Sequence, residues 1–308
     1  MRPVTVRVPA STANLGPGYD AFGLALARYN RVTAVLGRPG EWSVTVSGEG
    51  EERGRTGRDD LVSAAMRRLF DEVGEKRGAS VTCINGIPFG RGLGSSSAAI
   101  VGGLVAANEL TGARLSSTEL FLLAAELEGH PDNVAAALCG GFTICWTEDG
   151  IPLFTHIDRP GGLAAVCVIS EHGLSTREAR TMLPASVPHA DAVFDAGRAG
   201  LLAVGLALGR HDLIAPGMSD RLHEPYRASA ISDLDEVRAA LLEAGADGAA
   251  LSGAGPTVIG LVGGSDDANA LERARKVARR ATGPLARRDG RRAPEAIAID
   301  RDGAVVED

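Results

Sequence analysis

Val4, Val6 and Val8 alternate with polar neighbours, and Trp42, Val44 and Val46 do the same, so both segments predict strands with one buried face. Between them lies the run SerThrAlaAsnLeuGlyProGly, followed by Tyr19 and Asp20, whose turn formers predict a break in the strand pattern. From Asp60 onward, Leu61, Ala65, Met66, Leu69, Phe70 and Val73 recur at helical spacing. Residues 81–87 read as a further strand, and PFGRGLGSSSAA then leads into a small-residue helix over Ile100–Leu110. Ser116 and Glu119 form a capping box ahead of ELFLLAAELEG, which predicts a helix to about Glu128, stopped by Gly129 and Pro131.

The turn-rich DRPGG at 158–162, followed by the apolar run LAAVCVIS, marks the expected domain boundary. Beyond it, helical patterns near 191–209, 232–244 and 266–281 alternate with apolar runs near 249–251, 257–262 and 295–299. Mixed strands and helices of this kind predict an α+β second domain. Two domains, 1–160 and 161–308, suit the length better than one.

Hydrophobic residues make up 44% of the chain and charged residues 23%, a balance that supports a sizeable folded core. The formal charge of −7 argues against a general affinity for nucleic acid or an anionic membrane, which leaves small molecules as the expected partners. The only lysines are Lys76 and Lys276, so few candidates exist for a catalytic lysine. Cys83, Cys139, Cys145 and Cys167 lack CxxC spacing and read as buried free thiols. With no signal-peptide pattern and no apolar run of membrane-spanning length, the expected location is the cytoplasm.

Pro88–Ala98 carries the strongest chemical signal. Gly90, Gly92 and Gly94 precede Ser95, Ser96 and Ser97 at the mouth of a helix, where backbone amides and the helix dipole favour an anion such as phosphate. Hydroxyls of Ser95 or Ser96 then suit a magnesium ion bridging phosphates. No lysine stands in the position a Walker A loop requires, and GRGLGS lacks the last glycine of the dinucleotide fingerprint. A second cluster, ELEGHPDN, packs Glu126, Glu128, His130, Asp132 and Asn133 into eight residues at a helix end, poor material for a core and good material for a site. Asn14, Asp20 and the LSGAGP loop at 251–256 are consistent either with local turns or with a ligand pocket.

Taken together, PASTANLGPGYDAFGLAL, PFGRGLGSSSAA, EGHPDN and LSGAGP resemble the homoserine kinase branch of the GHMP small-molecule kinase superfamily, over nearly the whole chain. The resemblance implies an α+β architecture, with an N-terminal ribosomal-protein-S5-like α/β domain that binds ATP and a C-terminal ferredoxin-like α+β domain. It implies phosphorylation of the L-homoserine side-chain hydroxyl by ATP, with Mg²⁺, in threonine biosynthesis; a homodimer is a further expectation. On this reading Pro88, Phe89, Gly90, Arg91, Gly92, Leu93, Gly94, Ser95, Ser96, Ser97 and Ala98 form the phosphate loop. Glu128 and Ser96 are the metal ligands, with Glu126 as the alternative carboxylate. The same likeness puts the substrate against Asn14, Asp20, His130, Asp132, Asn133, Thr176, Arg180, Arg227 and Gly253, with Arg221 as the alternative to Arg227. Catalytic roles fall to Asp132, Asn14 and Arg180, Asp132 either accepting the hydroxyl proton or orienting the substrate.

Three other readings compete. Another GHMP kinase, acting on a different alcohol, keeps the phosphate loop but needs no paired sites for an amino and a carboxylate group. A serine hydrolase is suggested by Gly94, Ser96 and Ala98, which nearly spell a nucleophile elbow. A regulatory nucleotide-binding protein predicts ATP affinity without turnover.

Overall fold

The computed structural model describes residues 2–51, 60–285 and 290–307. Strands β1 (Val4–Asn14) and β2 (Gly18–Pro39) form a long antiparallel pair, joined on the far side of β2 by β4 (Arg77–Asn85). β3 (Trp42–Gly48) lies parallel to β4, with helix α1 (Leu61–Val73) in the connection between them. Helices α2 (Ser95–Thr111), α3 (Ser117–Glu128) and α4 (Asp132–Cys139) follow, then the hairpin β5 (Phe142–Glu148) and β6 (Ile151–Ile157), which pairs with β2.

The chain then enters a second, antiparallel sheet at β7 (Leu163–Val168). Short helices α5 (Thr176–Thr181), α7 (Ile214–Gly217) and α8 (Glu224–Arg227) flank the long α6 (His189–Leu208), and α9 (Leu234–Ala244) leads to β8 (Gly248–Leu251) and β9 (Val258–Gly263). After α10 (Asp267–Leu285) comes β10 (Glu295–Ala298), giving the strand order β10–β7–β9–β8. β11 (Val305–Glu307) returns to pair with β1 in the first sheet. The apolar sides of α9 and α10 cover one face of the second sheet, with Val237, Leu241, Ala274 and Val277 buried against Val166, Leu251 and Val262. This is an α+β arrangement.

The turn formers after Val8 do not break the first strand, which continues to Asn14. Ser11 and Thr12 are fully buried there and satisfied by side chains from elsewhere, the Ser11 hydroxyl on Asn133 Oδ1 (2.9 Å) and Thr12 Oγ1 against the Ser252 hydroxyl (2.9 Å). Small polar residues with both faces covered erase the alternation that sequence reading depends on. The strand expected over 81–87 instead begins at Arg77 and ends at Asn85, because the Gly86 amide turns to Tyr29 O and Asn30 Oδ1. The expected Ile100–Leu110 helix starts a turn and a half earlier, at Ser95, with Gly94 in the left-handed region (φ 65°) as its cap. The Ser116–Glu119 capping box forms as expected, and Gly129 ends α3.

Helix α2 is the central element. It is apolar on most sides and packs between β1–β2 and α1, and a Cβ at Gly103 would lie 2.5 Å from the Val62 carbonyl. Its N-terminus opens on the cleft between the sheets. There β1 meets the turn after β8, with Asn14 bridged to Ser252 and the Gly253 amide on the Ala13 carbonyl (3.0 Å).

Candidate active site

The cleft holds a polar cavity of about 70 Å³ lined by Asn14, Asp20, Glu128, Asp132, Arg180 and Arg227, among others. Its floor is the start of α2. Gly92 and Gly94 take positive φ, and a Cβ at Gly94 would lie 2.0 Å from the Ser11 hydroxyl, so only glycine lets the loop come this close to β1. The positive end of the α2 dipole and its first-turn amides point into the cavity mouth. The Ser95 hydroxyl, buried there, has no partner among the described residues.

Residues 91–96 line this cavity, a shorter stretch than the expected 88–98. Pro88 and Ala98 are buried behind it, and the Gly90 carbonyl accepts from the Leu174 amide (3.2 Å). Arg91 is held through its guanidinium by the carbonyls of Phe89 and Ser170 (both 2.8 Å). Phe89 faces a separate cavity, and Ser97 turns toward Glu128.

That second cavity, of about 260 Å³, is walled by Val32, Val44, Val46, Phe89 and Ala99, with Asn30, Asp60 and Asn85 among its polar groups. It meets the polar cavity at Ser95 and Ser96, which line both. Its wall comes from strand and helix residues scattered over the first half of the chain, so no local motif announces it.

Glu128 ends α3 with its carboxylate almost enclosed, accepting from the hydroxyls of Ser96 (2.5 Å) and Ser97 (2.9 Å). Glu126, the alternative, points away and pairs with Arg68 (3.1 Å) on the surface. A carboxylate with two hydroxyls is a hard-oxygen set that suits Mg²⁺ completed by phosphate oxygens and water. Among the described residues no three His, Cys, Asp or Glu side chains converge on one point, so an ion here needs oxygens from a bound nucleotide. Because Ser96 donates to a carboxylate rather than to a histidine, the nucleophile-elbow reading lacks its base.

Asp132, at the first turn of α4, is buried, and its Oδ1 accepts from the Asn133 amide (2.7 Å) and His130 Nδ1 (2.8 Å). Burial opposes a proton on His130, but the hydrogen bond and negative charge of Asp132, helped by Glu128, outweigh it and raise the imidazole above its ordinary value. Asn14 links the two halves of the site, donating to the Gly253 carbonyl (2.8 Å) and accepting from the Asp20 amide (3.0 Å).

Across the cleft Arg180, on α5, makes a bidentate pair with Asp20 (2.7 and 2.9 Å) and donates to the Tyr19 hydroxyl (2.8 Å). Thr176 opens the same helix and lines the cavity. Arg227 is almost fully buried, and its hydrogen bonds run to the Ala179 carbonyl (3.4 Å), the Gly253 carbonyl (3.2 Å) and His223 Nδ1 (3.1 Å). Among the described residues it has no carboxylate partner, and burial lowers its pKa. Arg221, the alternative, lies over the Phe194 ring and pairs with Asp191 (3.2 Å), outside the cavity. Tyr19 and His223 were not singled out from the sequence. Tyr19 lies within PASTANLGPGYDAFGLAL and His223 between Arg221 and Arg227, but only the fold turns them toward the arginines.

The family descriptions "GHMP kinases N terminal domain" and "GHMP kinases C terminal" match residues 60–141 and 202–280. The homoserine kinase of Streptomyces avermitilis is 44% identical over 278 residues, covering 88% of each chain. That of Desulfitobacterium hafniense is 38% identical over 310 residues, 98% of this chain and 99% of its own. The crystal structure of homoserine kinase from Cytophaga hutchinsonii superimposes with a TM-score of 0.88 at 28% identity, covering 100% of this chain and 98% of that one. Sequence and fold agree: this chain belongs to the homoserine kinase family of GHMP kinases.

Proposed function

We propose that the protein transfers the γ-phosphoryl group of ATP to the side-chain hydroxyl of L-homoserine, giving O-phospho-L-homoserine for threonine biosynthesis. Arg227 carries this reading. A buried guanidinium with no carboxylate partner among the described residues, opening on a cavity that also holds Asp20, calls for a ligand bearing a carboxylate. An amino acid supplies one, and its ammonium group finds Asp20, with Arg180, Thr176 and Asn14 completing the contacts. The soluble substrates suit a cytoplasmic enzyme.

The nucleoside of ATP occupies the apolar cavity, and its phosphates cross Ser95 and Ser96 onto the start of α2. There the loop amides and the helix dipole oppose charge that spreads over the transferring group. Glu128 and Ser96 would hold Mg²⁺, which when bound neutralises phosphate charge. Asp132, locked through Oδ1 by Asn133 and His130, presents Oδ2 to the attacking hydroxyl and takes its proton as the new P–O bond forms and the bond from the γ-phosphorus to the β,γ-bridging oxygen breaks, with ADP leaving. Positioning of acceptor and donor in line does most of the remaining work.

ADP release from purified protein, with L-homoserine and a panel of other alcohols including mevalonate and sugars, tests the assignment. L-Homoserine should give the highest kcat/KM, with dependence on Mg²⁺. Faster turnover of another alcohol overturns it, and ATP binding without any turnover favours a regulatory role.

A further inference from the structure

His223 has no part in the chemistry above, yet it is completely buried and joins the two halves of the site. Its Nδ1 lies 3.1 Å from Arg227 Nη1, and its Nε2 lies 2.8 Å from the Gly16 carbonyl. An arginine only donates and a carbonyl only accepts, so the two partners together dictate a neutral ring with its proton on Nε2. Burial also pushes the imidazole down to about 4, which keeps it neutral at physiological pH.

The surroundings leave the ring little freedom. Tyr19 packs against it with ring centroids 5.3 Å apart, and the His223 amide is tied to Asp220 Oδ2 (3.0 Å), a carboxylate that also accepts from the amides of Leu222 and Glu224. Gly16 is pressed onto the same segment, since a Cβ there would lie 2.4 Å from the Met218 carbonyl. Arg227 and Asn14 both donate to the Gly253 carbonyl. The result is a closed circuit from the Gly16 carbonyl through His223, Arg227 and Gly253 to Asn14, two residues before Gly16.

We infer that His223 is a positioning residue for the acceptor: as the neutral Nε2–H tautomer it fixes the Arg227 guanidinium against the β1–β2 turn that links Asn14 to Asp20. This rests on Arg227 receiving the substrate carboxylate. Without the ring nitrogen, Arg227 keeps its charge but loses the acceptor that orients Nη1, and a buried N–H is left unmet. The penalty falls on substrates that carry a carboxylate and spares the nucleotide.

Three variants separate the two hydrogen bonds. His223→Leu removes both, His223→Gln keeps a donor near the Nε2 position, and His223→Asn keeps an acceptor near the Nδ1 position. With Leu and Gln, KM for L-homoserine should rise roughly 10-fold or more, while KM for ATP and kcat move by less than about 3-fold. Asn should recover homoserine KM to within about 3-fold of the parent.

3-Aminopropan-1-ol, which is homoserine without its carboxylate, should show no difference between parent and variants. Unchanged homoserine KM in every variant overturns the inference, as does a loss shared equally by ATP and by the amino alcohol, which marks a merely structural histidine. Arg227→Met tests the underlying reading separately. If it penalises both acceptors alike, Arg227 does not hold the carboxylate; if it penalises homoserine alone while His223→Gln has no effect, only the role of His223 fails. Should the variants not fold, ¹⁵N-histidine NMR of the parent protein decides. A buried ring with bare Nδ1 and protonated Nε2 at neutral pH supports the assignment, and an imidazolium or the opposite tautomer refutes it.

Discussion

The two cavities that meet at Ser95 and Ser96 are built on opposite principles. The polar one is small because its own charged side chains fill it, Arg180 closing on Asp20 and His130 on Asp132. The larger one is mostly apolar, walled by valines and Phe89. Charged groups act over distance and in fixed directions, so the first can discriminate among acceptors and support chemistry. On the proposed reading the second, with Asn30, Asp60 and Asn85 as its few polar groups, binds the nucleoside mainly by area and shape and so governs affinity. Damage to the polar cavity should therefore appear in kcat or in KM for L-homoserine, and damage to the apolar one in KM for ATP.

Asp132→Asn puts the sharpest question to that division. Loss of the carboxylate should lower kcat by about 10²- to 10⁴-fold while KM for L-homoserine stays within about 3-fold, measured by steady-state ADP release. Near-parental kcat removes Asp132 as the proton acceptor. Glu128→Ala comes next, with an expected fall in kcat of roughly 10²- to 10³-fold and a weaker response to added Mg²⁺. An unaltered magnesium titration shifts the metal ligand elsewhere.

Filling the apolar cavity should have a milder and different effect. Val46→Trp is expected to raise KM for ATP by about 10-fold and leave kcat and homoserine KM nearly unchanged. If homoserine KM rises instead, the assignment of the two cavities is reversed.

The smallest effect concerns His130. Its raised pKa means that the folded state holds the proton more tightly than the unfolded chain. That stabilisation is complete below the ordinary histidine pKa and is lost as pH rises through the raised value. In magnesium-free buffer the melting temperature of the parent should exceed that of His130→Gln most at mildly acid pH, with the gap narrowing toward alkaline pH. A gap that widens as pH rises contradicts the ion pair with Asp132.

Much of the polar cavity was legible in the chain because it is assembled from short motifs. Asp132, His130 and Asn133 are neighbours in EGHPDN, and the serines of the loop are contiguous. Choices between near neighbours were not legible. Glu126 and Glu128 are two residues apart at the end of one helix, yet one pairs with Arg68 and the other with Ser96. Arg221 and Arg227 share a segment, but the turn after Asp220 sends one to Phe194 and buries the other. The apolar cavity escaped notice because Val32, Val46 and Ala99 read as ordinary core residues until the packing leaves a gap among them.

Local chemistry settled the caps and the glycine–serine turn at the start of α2, since glycine conformational freedom and serine capping act within a few residues. Alternation and helical spacing likewise determined most of the strands and helices, and composition determined that the chain folds around a substantial core. Only the tertiary structure decided which carboxylate meets the serines, which arginine is buried against His223 and the Gly253 carbonyl, and that β11 returns to the first sheet. The physical reason is reach. A hydrogen bond or an ion pair is decided within a few ångströms, and residues as far apart in sequence as Gly16 and His223 come that close only when two sheets are packed together.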